Sequence, residues 1–273
     1  MNTKKLFLFV VVLTLAATGF GQSQQKGQIS EGVRGDATSD CQSTFTSGSN
    51  QTYLQFCTTV NGNVTELQSP AGEEHIRWGS VDEGYGICDF NSSLTRYYDW
   101  ADGGDSGNWL AAVITQPGGP NTFPLKITRT TSDGIYTLTQ SFTRDTVEPT
   151  VIIKMTLKND SAVSRDFALV RYADIDANNG DGGDYKNWFD YTHDAAWGYN
   201  SSFNSYGVML FAVPSNTPRF AFVQNTFGGP DPCSPVDHLP ATPWYGDGSV
   251  GYDWNGTLGA HKSITVSGEY KRF

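Results

Sequence analysis

Tyr136, Leu138 and Phe142 alternate with Thr137, Thr139 and Ser141, and this period of two constrains the chain more than any other feature. A strand sends successive side chains to opposite faces, so residues 135–144 bury one face and wet the other. The pattern recurs. Residues 125–131, 150–157 and 167–173 are similar runs, separated by the polar turns Ser132-Asp133-Gly134 and Lys158-Asn159-Asp160-Ser161. Four strands joined by short turns predict an antiparallel meander. Residues 53–60 and 63–67 flank Asn61-Gly62, which suits a two-residue hairpin turn because both central positions of a type I′ turn need positive φ. Residues 207–213, 219–225 and 263–270 read as further strands. Helical periodicity is nearly absent: residues 108–115 offer a turn or two of helix, and Val113-Ile114-Thr115 opposes even that. The expected fold is all-β, a large antiparallel β-sandwich.

Lys4 and Lys5 precede an apolar run from residue 6 to 17 and then small residues up to Gly21, the layout of a secretory signal peptide. A run this short falls below the roughly 20 residues that span a bilayer, so no membrane span is expected once it is removed. Residues 22–40 are polar and glycine-rich and read as a flexible leader, leaving residues 41–273 as one sandwich domain. The protein is expected to be secreted or periplasmic. Its formal charge is −10, and loss of residues 1–21 removes two lysines and no acids, giving −12. Such a surface repels polyanions, which excludes a nucleic-acid partner. Cys41, Cys57, Cys88 and Cys233 all lie in the exported part and contain no close pair of the zinc-binding kind, so disulfides are expected. Three pairings are open; Cys57 with Cys88, and Cys41 with Cys233, is the one expected.

The strand ending at Ala173 runs into residues 174–184, which hold four aspartates. Carboxylates this dense repel one another unless a cation sits among them. Asp174, Asp176 and Asn178 alternate, and with Asp181 and Asp184 they form a candidate calcium set. The Asp-x-Asp-x-Asn opening resembles an EF-hand loop, but Asn179 stands where glycine is required and Tyr185 where the bidentate acid belongs. A looser calcium loop is expected; the alternative is a solvated turn, which Asp, Asn and Gly also favour.

A second acidic, glycine-rich stretch, residues 99–109, has Trp100 and Trp109 near its ends and Tyr98 before it. Aromatic faces stack on sugar rings while carboxylates and amides bond hydroxyls, so Trp100, Trp109, Tyr98 and the later Trp188 are candidates for a glycan ligand. The competing reading is that the tryptophans only cover a sandwich edge. Asp190-Tyr191-Thr192-His193-Asp194 crowds acids around a histidine. Were the protein an enzyme, Glu83, Asp174, Asp176, Asp190 and His193 would be the catalytic candidates. Glu73-Glu74-His75 lacks the His-Glu-x-x-His order, and no nucleophile elbow, phosphate loop or dinucleotide fingerprint is present.

Asn61-Gly62-Asn63-Val64, Ser69-Pro70-Ala71-Gly72, Glu83-Gly84-Tyr85-Gly86-Ile87-Cys88, Arg129-Thr130-Thr131-Ser132-Asp133-Gly134 and Arg171-Tyr172-Ala173-Asp174-Ile175-Asp176 resemble an uncharacterised family of secreted bacterial β-sandwich proteins. More distantly, Met155-Thr156-Leu157-Lys158-Asn159 and Leu258-Gly259-Ala260-His261-Lys262-Ser263 are similar to the supersandwich domains of carbohydrate-active enzymes. The resemblance implies a supersandwich-like fold and a sugar setting, with no activity attached. The expected function is a non-catalytic secreted module, calcium-stabilised, that binds glycan or envelope components. The alternative is a carbohydrate-active hydrolase, lyase or epimerase using the loop carboxylates.

Overall fold

The computed structural model describes residues 40–77, 79–145, 147–177, 185–190, 195–200, 207–213, 215–224, 228–234, 244–246 and 248–272. The expected signal segment, residues 1–21, and all but the last residue of the leader lie outside them. The described strands, numbered in chain order, pair antiparallel throughout and form three sheets. A small sheet joins β1 (Ser43–Ser47), β2 (Leu54–Thr58) and β3 (Val64–Gln68). A five-stranded sheet takes β4 (Asp82–Asp89), β5 (Thr95–Ala101), β10 (Arg165–Asp174), β14 (Arg219–Gln224) and β16 (Ser249–Leu258), in the order β14-β16-β10-β4-β5. The largest sheet holds β6 (Val113–Thr115), β7 (Leu125–Thr130), β8 (Tyr136–Arg144), β9 (Thr150–Asn159), β11 (Tyr185–Asp190), β12 (Ala195–Asn200), β13 (Gly207–Ala212), β15 (Trp244–Tyr245) and β17 (Ser263–Arg272). Its order is β15-β11-β12-β13-β17-β9-β8-β7-β6. No helix among the described residues is long and apolar enough to cross a membrane.

The two larger sheets face each other across one core. From the large sheet come Leu125, Ile127, Leu138, Phe142, Ile153, Met155 and Val266; from the five-stranded sheet come Ile87, Leu169, Ala173, Val223, Val250, Tyr252 and Trp254. Period-two alternation sets this, and β8 shows it cleanly, with Tyr136, Leu138, Gln140 and Phe142 buried and the residues between them half-exposed. The large antiparallel sandwich expected from sequence is therefore the fold. The small sheet adds Phe45, Leu54, Phe56 and Leu67 to the same core, with Phe123 stacked 4.3 Å from Phe45.

Three expectations need correction. The meander continues only through β7, β8 and β9, after which β10 crosses to the other sheet. Asn159 pins that corner: its amide donates to the carbonyls of Val163 at 2.7 Å and Leu258 at 2.9 Å, so the chain leaves the meander. At Asn61-Gly62 only Gly62 has positive φ, and Thr59 N–H donates to Asn63 O across a longer loop, so the turn is not the two-residue type. The disulfides join Cys41 to Cys57 and Cys88 to Cys233 rather than the expected partners. Antiparallel pairing of β1 with β2 keeps the segment before β1 within reach of Cys57, and the Cys41 and Cys57 Cα atoms lie 5.5 Å apart. Two disulfides fit an extracellular or periplasmic setting.

Candidate functional site

The acidic stretch at 99–109 turns inward. Asp99 lies on β5 facing the core, and the Arg129 guanidinium of β7 donates to Asp99 Oδ2 at 2.7 Å and Asp105 Oδ2 at 3.1 Å. The same Nη1 reaches the Tyr85 hydroxyl at 3.2 Å, and the Trp109 ring lies 5.1 Å from the guanidinium carbon. Burial raises the Asp99 carboxyl; Arg129 opposes that rise and Asp105 adds to it. The cation that these carboxylates call for is thus an arginine from the facing sheet. Glu83 and Arg171 repeat the arrangement next door. Glu83 accepts from Arg171, from the Tyr270 hydroxyl at 2.6 Å and from Val64 N–H, while Arg171 Nη1 donates to Gln140 Oε1 at 2.7 Å. Both charges are fully buried between the sheets, and Glu83 lines no cleft among the described residues and is held by Arg171, Tyr270 and Val64, which commits it to the core.

The candidates do not converge. Ala173 is the register partner of Glu83, and Asp174, one residue on, leaves β10 from the opposite face. Consistent with that, burial and then the charges of Asp174 and Asp82 push the Tyr172 phenol well above its usual range, with Tyr172 bonding Ser249 Oγ at 2.7 Å. Asp176 is buried, and its N–H donates to the His75 carbonyl at 2.8 Å. Asn178, Asp181, Asp184 and His193 lie outside the described residues, and Asp190 is placed only by its backbone, opposite Ala195 at the end of β11. Among the described residues no three His, Cys, Asp or Glu side chains gather as a metal cluster, and three of the five expected calcium ligands are not among those residues.

The aromatic candidates are also divided. Trp100 is 1% exposed and Trp109 7%, so neither offers a ring face to solvent. Trp100 lies on the outer face of the five-stranded sheet, stacked 5.9 Å from Tyr98 and edge-on to Tyr172 at 5.6 Å. A Cβ at Gly86 would lie 2.9 Å from its ring and one at Gly229 2.4 Å, so glycines beneath and above it make the slot. Residues 228–234 roof this half of the face, held by the Cys88–Cys233 bond and by Arg96 pairing with Asp231. Trp188 is partly buried against the main core, 6.1 Å from Trp197.

The other half of that face is open. A cleft of about 460 Å³ is lined by Phe90, by Asp166 to Ala168 of β10, by Asp253 and 255–257 of β16, and by Cys233 and Ser234 at the edge of the roof. This volume suits a small ligand or a few sugar units. Val250, Tyr252 and Trp254 point into the core, so alternation turns Asp253 outward to the cleft floor. Asp253 is 1% exposed; its Oδ2 accepts from the Asn255 amide at 3.2 Å, while its Oδ1 has no hydrogen-bond partner among the described residues. Burial raises its carboxyl to about 6, and the Asn255 amide is the group that pulls it back. Its register partner on β14, Phe220, is 44% exposed, and Phe90 is 40% exposed. Asp166 accepts from Thr257 Oγ1 at 2.6 Å.

No family profile matches the chain and no curated protein does. Among solved structures, a bacterial glucoamylase complexed with acarbose is similar over 89% of this chain, with a TM-score of 0.61 and 10% identity. The likeness covers 34% of the glucoamylase, so the chain spans about a third of that protein's length. The Slr1438 protein from Synechocystis sp. PCC 6803 is similar over 85% of this chain and 96% of its own, with a TM-score of 0.50 and 10% identity. A putative aldose 1-epimerase from Escherichia coli K12 is similar at a TM-score of 0.46 and 9% identity, over 85% of this chain and 99% of its own. What the glucoamylase and the Slr1438 protein share with this chain is the fold, in agreement with the β-sandwich expected from sequence.

Asp253, Asn255 and Asp166 were not sequence candidates. The signal was there: Val250, Tyr252 and Trp254 alternate around a single carboxylate. A search for dense acidic runs passes over an isolated aspartate inside a strand.

Proposed function

We propose that this is a secreted glycan-binding β-sandwich that acts without catalysis, with the cleft over β10 and β16 as its binding face. The observation that carries this is the buried Asp253 at the floor of an open cleft, to whose Oδ1 no described residue donates. A buried acceptor left unpaired is costly, and a ligand hydroxyl or amine would relieve it. Phe90 in the cleft lining and Phe220, the register partner of Asp253 on β14, supply apolar faces of the kind sugar rings pack against. The likeness to a glucoamylase solved with acarbose supports a sugar-related sandwich. The signal-like residues 1–21 and two disulfides support export, which makes glycan-bearing envelope components natural targets. Calcium held by Asp174 and Asp176 with Asn178, Asp181 and Asp184 completes the proposal, as a brace on the chain that leaves β10.

One observation favours a second reading. A carboxyl raised to about 6 in a cleft is what a general acid in a carbohydrate-active enzyme needs. Its only acidic companion in the lining, Asp166, is the partner of Thr257, four residues along β16 from Asp253. That is about 13 Å of strand, against the roughly 5–10 Å that separates carboxyl pairs in glycosidases. Calorimetric titration with neutral, amino and acidic oligosaccharides, with product analysis of the same mixtures, decides between the two. Binding with the sugars recovered intact is the expected result. Turnover would hand the cleft to the enzyme reading, and no binding to any sugar would remove the proposal.

A further inference from the structure

Both ionisable side chains that line the cleft, Asp166 and Asp253, are acids. Among the described residues, the elements around Asp253 bring no cation to it. On β14 its register partner is Phe220, and Arg219, the partner of Trp254, donates instead to the Ser215 carbonyl at 3.3 Å. On β10 its partner is Val170. From the roof come the disulfide-bonded Cys233 and the neutral Ser234, while Asp231 and Arg96 neutralise each other at 2.6 Å. The turn after β4 contributes Phe90. A carboxylate so placed receives from the described residues neither a countercharge nor a donor for Oδ1, the two things that a bound ammonium supplies together.

Resting on the glycan-binding reading, we infer that the cleft selects sugars bearing a free primary amine, with the ammonium group seated against Asp253 Oδ1 and the exposed Asp166 adding to the attraction. Anionic sugars, uronates and sulfated units, are rejected by the same pair of charges. N-acetylated sugars present the same ring but only a neutral amide donor, and bind without the ionic contribution. Because the ammonium is held by the ionised carboxylate, affinity rises with pH through about 6, where Asp253 gives up its proton.

The test is calorimetric titration of the intact mature protein with fully deacetylated glucosamine tetramer, its fully N-acetylated counterpart and a uronic-acid tetramer, at pH 5 and pH 7. The expected order at pH 7 is amine over N-acetyl by about tenfold or more, with the uronate not binding, and the amine advantage shrinks about tenfold at pH 5. Asp253→Asn removes the amine preference and its pH dependence while keeping weak binding of the N-acetylated tetramer, and its folding is checked by thermal melting. Asp166→Asn narrows the preference less, since Asp166 is exposed. Equal binding of amine and N-acetyl forms overturns the inference while leaving a glycan-binding cleft. No binding of any tetramer overturns both, and preference for the uronate overturns the charge argument outright.

Discussion

Arg171 and Glu83 are each fully buried, and each is tolerable only because the other is there. Removing one partner strands a charge in the core, which costs about 3–5 kcal/mol. Glu83→Gln should therefore lower stability by that order in urea unfolding at pH 7, and adding Arg171→Met should recover much of the loss. A single variant as stable as the parent would show that the pair is not the coupling that holds β4, β10 and β17 in place. Asp253 behaves in the opposite sense. Its folded carboxyl sits at about 6 against an ordinary 3.8, so the folded state binds the proton more tightly and stability falls as pH rises from about 4 through 6. A rise of that size corresponds to about 3 kcal/mol at pH 7 and above. Asp253→Asn should stabilise the protein by up to that amount at pH 8 and make little difference at pH 4. Melting curves across that range check it, and a loss of stability at pH 8 would mean that Oδ1 has a partner. Neither role was legible from residue type: Glu83 and Asp253 are both acids in strands, and only the facing element separates a paired charge from an orphaned one.

At the scale of elements, the two disulfides do different jobs. Cys41–Cys57 closes a separation of 16 residues and fastens the start of β1 to β2, whereas Cys88–Cys233 spans 145 and holds the roof over the outer face. If loss of chain entropy dominates, removing the first costs about 3 kcal/mol and removing the second about 5 kcal/mol. Paired serine variants compared by urea unfolding should show that order; equal losses would point to native packing rather than loop closure. The Cys88→Ser/Cys233→Ser variant should also weaken cleft binding, since Cys233 forms part of the cleft wall. The elements themselves were unevenly readable. The strands β7, β8 and β9 stood out because one face is wet and alternation survives. By contrast β4, Asp-Glu-Gly-Tyr-Gly-Ile-Cys-Asp, is buried at every position, with core on one side and the roofed face on the other. A strand covered on both faces has no period to detect. For the same reason the acidic stretch at 99–109 showed no strand pattern, although its first three residues are the buried end of β5.

For the whole molecule, the acidic balance and the proposed calcium loop make one joint prediction. With a formal charge of −10, a chain that carries the proposed calcium loop at Asp174 and Asp176 would gain from a divalent cation. Calcium added to EDTA-treated protein should raise the melting temperature by several degrees, and Asp174→Asn with Asp176→Asn should abolish the response. Metal analysis of the purified protein that finds no calcium, with no thermal response, would sink the loop's assigned role. The sequence by itself determined the all-β class, the segments of β7 to β9, β13, β14 and β17, and the surplus of acid. These follow from local periodicity and from counting, which need no partner strand. The tertiary structure alone decided that β10 changes sheet, that Arg129 answers the acidic stretch at 99–109 and Arg171 answers Glu83, which cysteines meet, and that a lone aspartate on β16 floors the open cleft. Each of those depends on which residues distant in the chain are brought face to face, and a pattern of period two fixes the direction a side chain points without naming what it meets.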